Sequence, residues 1–146
     1  MKENSYKYIP IDVYKRELYV WVGNDIDVLK KWVKQEFDQD DEVDFLNYIL
    51  SFQEQTTAAA SFFYNNRNGT GVIWIPEFPK DINDAKGLAY IAHEVLHATL
   101  HVLNFCRVEY SYDGNNEAFT YLHEHIFRNV LEDKFYNEFK IDKKCE

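Results

Sequence analysis

The chain has 146 residues and a formal net charge of −9 at pH 7, with 25 acidic against 16 basic side chains. That length supports one hydrophobic core and is short for two, so a single domain over residues 1–146 is expected. The acidic balance and the lack of a basic cluster argue against nucleic acid as a partner, because phosphate binding rests on Lys and Arg displacing counterions. No apolar run approaches membrane-spanning length and the stretch from Met1 to Lys7 lacks the apolar centre of a secretion signal, which points to cytoplasmic residence without a membrane partner.

Arg16 to Val22, rich in aromatic and β-branched side chains and ending at Gly23-Asn24, reads as the first strand. Asp25 to Phe37 follows as a helix with Ile26, Leu29, Trp32 and Val33 on one side. The acidic stretch from Asp38 to Asp44 fits a solvated loop or a helix start, and Val43, Leu46, Ile49 and Leu50 suggest a second, shorter helix. Ala58 to Tyr64 and Val72 to Ile75 are β-prone runs around a polar loop containing Asn68-Gly69, a hairpin signal. The second arm stops at Pro76, which suits a sheet edge, since proline cannot donate a ladder bond.

From Ile82 to Leu103 the apolar residues Ile82, Ala85, Leu88, Ala89, Ala92, Val95, Leu96 and Leu103 recur at three- and four-residue steps, as in a buried helix, with Asp81 or Asn83 as candidate caps and Gly87 as a weak point relieved by close packing. Phe119, Leu122, Ile126, Phe127, Val130 and Leu131 mark a further amphipathic helix, and Ile141 to Glu146 reads as a charged, frayed tail. Cys106 and Cys145 form no C-x-x-C pair and read as free thiols. The fold class expected is α+β: a small twisted sheet packed on a helical layer that includes the last two helices.

The helix from Ile82 contains His93-Glu94-Val95-Leu96-His97, the H-E-x-x-H pattern. Histidines four apart are separated by about 6 Å of rise and about 40° of rotation, so both rings project from one face toward a common point. They suit zinc, whose catalytic sites use three protein ligands and water. Glu94 suits a general base acting on that water. Both histidines and Glu94 interrupt an apolar run, and buried ionisable groups need partners, which a metal ion supplies. A second acid, Glu117, lies twenty residues beyond His97 and early in the next helix, where it is the candidate third ligand.

His93, Glu94, His97 and Glu117, with Asn116-Glu117-Ala118, make the chain resemble the gluzincins, zinc metallopeptidases that pair H-E-x-x-H with a glutamate on a following helix. The size resembles that of small single-domain zincin-like peptidases, some of them phage-encoded. The resemblance covers about residues 57–131 and implies a Zn2+ site of His93, His97 and Glu117, with Glu94 as base and a peptide or protein as substrate. It also implies an edge strand that holds the extended substrate, here assigned to Val72, Ile73, Trp74 and Ile75, with an ordinary internal strand as the alternative reading of the same run. The family often carries an aspartate four residues after the ligand glutamate, and Tyr121 stands there. Tyr110, Tyr112 and His125 are candidates for stabilising the oxyanion, each with an alternative reading as a packing or surface residue. His101 would sit about 12 Å along the axis from His93 and reads as structural. His123 is read as a surface residue. Two alternatives stay open: a catalytically inactive zincin-like module that binds metal or a partner, and a structural α+β protein whose histidines merely border the core.

Overall fold

A computed structural model describes residues 4–55, 60–114 and 116–132. The element order is β1 (Ser5–Ile11), β2 (Arg16–Val22), α1 (Ile26–Glu36), α2 (Gln39–Gln55), β3 (Ser61–Tyr64), β4 (Gly71–Ile75), α3 (Ala85–Phe105) and α4 (Asn116–Leu131). The protein is mixed α+β, with one four-stranded sheet in the order β1-β2-β4-β3. β1 and β2 are antiparallel, β2 and β4 parallel, and β3 and β4 antiparallel. Ala58 and Ala59 of the expected strand, Cys145 and the tail from Ile141 lie outside the described residues.

Alternation along the strands divides the core in two. Leu18, Val20, Val22, Ile73 and Ile75 face α3 and α4, joining Ile91, Val95, Val102, Leu122, Ile126 and Val130. Tyr19, Trp21, Val72 and Trp74 face the other way, joining Leu29, Trp32, Val33, Phe45 and Ile49 of α1 and α2. A sheet covered on both faces needs inner strands apolar at every position, and all five residues of β4 are buried. The expectation of one helical layer is thus corrected to two. The Trp74 indole N–H donates to the Gly23 carbonyl at 2.9 Å, which satisfies its one polar group inside this layer.

β1 was not expected from the sequence, where Pro10 breaks its β signal; it occupies a sheet edge, where proline is tolerated. The opposite correction applies to Val72 to Ile75. β4 is an inner strand, bonded to β2 on one side and β3 on the other, so its backbone has no side left for an added strand. The expected hairpin forms, with Gly69 at φ +77° in the turn that returns β3 to β4. In α2 the inward residues are Phe45 and Ile49, whereas Val43 and Leu50 are exposed.

The α3 N-cap is Asp84, whose carboxylate accepts the Gly87 N–H at 2.9 Å. A side chain at Gly87 would stand 2.8 Å from that carboxylate and 3.0 Å from Pro79, so the expected close packing is present.

Ile73, fully buried between β2 and β3, and Val13, 87% exposed, give a direct contrast. Ile73→Ala should lower unfolding free energy by about 3 to 4 kcal/mol and Val13→Ala by less than about 0.5 kcal/mol in urea titrations.

Candidate metal centre

The buried stripe of α3 runs through Ile91, Val95, Ala98 and Val102. Positions 93 and 97 fall two residues past this stripe, about 200° around the helix, and therefore on its outer side. The His93 side chain is 66% exposed, while Glu94, next to the stripe, is drawn in to 14%. The sequence argument that these histidines are buried and need a metal on that account is therefore corrected: they face outward.

What the outward face provides is convergence. The Nε2 atoms of His93 and His97 lie 3.0 Å apart, with the rings nearly perpendicular at 76°. Two nitrogens bound at 2.0 to 2.1 Å on a tetrahedral ion stand about 3.3 Å apart, so the pair fits a shared zinc ion after a shift of a few tenths of an ångström. With no ion present, the same approach is a hydrogen bond in which one ring donates. Glu94 Oε1 lies 4.0 Å from His93 Nε2, placing a carboxylate beside the point of convergence.

Glu117 sits in the first turn of α4, the helix packed along α3, and its side chain is exposed. Among the described residues no group of three His, Cys, Asp or Glu side chains is gathered closely enough to hold a metal. The two histidines converge in this conformation, and the Glu117 carboxylate is not gathered with them.

The other sequence candidates have definite places. His123, read as a surface residue, is half-buried, with Nε2 3.4 Å from the Ala92 carbonyl, and helps seat α4 on α3. His125 approaches the Pro10 carbonyl of β1 at 3.2 Å and lines a different cavity, together with Tyr121. The Tyr110 ring packs edge-on against Phe119 at 5.3 Å, and Tyr112 is 80% exposed. Among the described residues none of Tyr110, Tyr112 and His125 lines the cleft that holds Glu94 and His97. Cys106 is a half-buried free thiol.

That cleft, of about 580 Å3, lies between α3 and the terminal strand β3. Glu94, His97, Leu100, His101 and Asn104 come from α3, Ser61, Phe62 and Tyr64 from β3, and Tyr48 and Asn66 from the flanking elements. The β3 wall, Tyr48 and the two asparagines were not singled out from the sequence. The strand itself is legible as the β-prone run ending at Phe62-Phe63-Tyr64, but Pro76 draws the edge assignment to the other arm of the hairpin.

His101 packs its ring on Tyr64, with centroids 4.2 Å apart, and on Phe62 at 5.6 Å. Burial holds its pKa below the usual histidine range, partly offset by a hydrogen bond to the Gly69 backbone, and Nε2 has no hydrogen-bond partner. This agrees with a structural rather than a ligand role.

No protein-family model, curated protein or solved structure matches this chain. No helix among the described residues is long and apolar enough to cross a membrane.

A histidine whose pKa is lowered on folding binds fewer protons in the native state, so stability falls as pH drops through the unfolded value of about 6.5 and levels off below the folded one. Urea titrations at pH 7.5 and 5.5 should show His101→Gln losing less stability on acidification than the wild type.

Proposed function

We propose that the protein is a zinc-dependent peptidase of the gluzincin type, in which His93, His97 and Glu117 hold the ion and Glu94 is the general base. The observation that carries the reading is the 3.0 Å approach of the His93 and His97 Nε2 atoms, with the Glu94 carboxylate beside them at the mouth of a cleft. The donor set of two imidazoles and a carboxylate suits zinc. The chemistry supplied by a bound zinc ion is Lewis-acid polarisation of the scissile carbonyl and acidification of water.

The remaining work falls to the chain. Glu94 accepts a proton from the attacking water and returns it to the leaving amine. Its low exposure limits competition from bulk solvent, while the helix fixes its backbone one residue from the ligand His93. His93 and His97 are held one turn apart by the same helix, so their convergence requires no loop to order. Glu117 would supply the third ligand from the first turn of α4, the helix packed on α3. An extended peptide is accommodated between α3 and β3, whose position at the sheet terminus replaces the wall first assigned to β4.

The roles separate experimentally. Glu94→Gln should retain one zinc per chain and lose peptide hydrolysis by about 10²- to 10⁴-fold, the range for general-base catalysis. Glu117→Ala should weaken zinc retention against a chelator. Loss of metal from Glu94→Gln, or unchanged retention in Glu117→Ala, contradicts the assigned roles.

A further inference from the structure

The cleft continues past His97 along α3 for two further turns, and its lining changes character. Beyond Glu94, no residue that lines it carries a formal charge: the wall consists of Leu100, His101, Asn104, Asn66, Ser61 and aromatic rings. Asn66 and Asn104 are exposed, and neither side-chain amide has a hydrogen bond among the described residues. The two amides therefore border the cleft with donors and acceptors both available. The Tyr64 ring packs on that of His101, with centroids 4.2 Å apart and planes tilted by 30°, and closes the cleft wall between the strand and the helix with uncharged aromatic surface. Tyr48 and Ser61 satisfy each other through their hydroxyl oxygens and present no competing charge.

This lining discriminates among side chains by elementary costs. A carboxylate or ammonium entering it loses water and gains no counter-charge. An aliphatic chain is accepted by the rings but covers two amides without satisfying them. A carboxamide can both donate to and accept from such amides without bringing a charge into the cleft. Seen from His97, Asn104 is about 10 Å along the helix axis, beyond the reacting centre and within the span of an extended substrate.

We infer that this end of the cleft is a specificity subsite for an uncharged carboxamide side chain, glutamine above all, with Asn66 and Asn104 as the recognising groups. The inference rests on the peptidase reading for the identity of the ligand as a peptide, but it concerns a part of the cleft that holds no metal ligand and no general base. Because both asparagines are exposed and partly wet, the discrimination is moderate. Glutamine is favoured about tenfold over leucine and over glutamate, the factor that one net hydrogen bond provides.

The test is a binding measurement without turnover. Zinc-loaded Glu94→Gln is titrated with three fluorescent peptides of one host sequence that differ only in carrying Gln, Glu or Leu. The Gln peptide should bind about tenfold tighter than either of the others. Asn66→Ala and Asn104→Ala, both made at exposed positions, should each reduce the preference while leaving the Leu peptide's affinity unchanged. Equal affinities for the three peptides, failure of all three to bind, or a preference that survives both substitutions overturns the subsite. Zinc content is measured on the same samples. Full zinc loading with no preference refutes the subsite alone, and a preference in a chain that never loads zinc refutes the peptidase reading alone.

Discussion

The constraint on which the rest of the structure depends is the burial of β4 on both faces. A central strand of Val72, Ile73, Trp74 and Ile75 leaves no face for water, so helices must cover the sheet on each side. One layer is supplied by α1 and α2 and the other by α3 and α4. The inward stripe of α3 is fixed by its contact with Ile73 and Ile75, and once that stripe is fixed the helix has no rotational freedom. Residues 93 and 97 must face outward, and residue 94 must lie at the margin. The candidate centre follows from the packing of a strand that contributes nothing to it chemically.

The difference between His93 and Glu94 shows how little the site depends on burial. The histidines are accessible, and their rings meet because a helix repeats every 3.6 residues. Glu94 is the more enclosed of the three, as suits the general base proposed for it. The fourth residue, Glu117, belongs to a different helix, so its place in the set depends on the seating of α4 against α3. His123 at the Ala92 carbonyl is one contact that fixes that seating.

The helices were the legible part of the sequence, because three- and four-residue apolar steps extend over many turns in α1, α3 and α4. The α3 pattern nevertheless included Leu96, which is 48% exposed, and missed Ile91 and Val102, which carry the inward stripe. β2 and the β3–β4 hairpin were legible from β-branched residues and Asn68-Gly69. β1 was not, since Pro10 interrupts the β-prone Tyr6, Tyr8, Ile9 and Ile11, and its pairing with β2 at the sheet edge is what accommodates the proline. Strand order was misjudged for a physical reason. Pro76 terminates β4 without saying whether a neighbour pairs with the residues before it, and the partners in that neighbour, β2, are 53 residues away in sequence. Of the site, the two histidines and Glu94 were legible because a single helix contains them. The cleft wall was not, because β3, Tyr48 and Asn66 reach it only through the tertiary fold.

The central claim is that the His93–His97 pair is a metal-binding element and not a hydrogen-bonded surface pair. The most direct test is elemental analysis of the wild type and His97→Ala, expressed and purified in parallel without added zinc, with circular dichroism to confirm that both are folded. The account predicts one zinc per chain in the wild type and little or none in the folded variant. A wild type that holds no zinc even after reconstitution, or a variant that holds as much as the wild type, would contradict it.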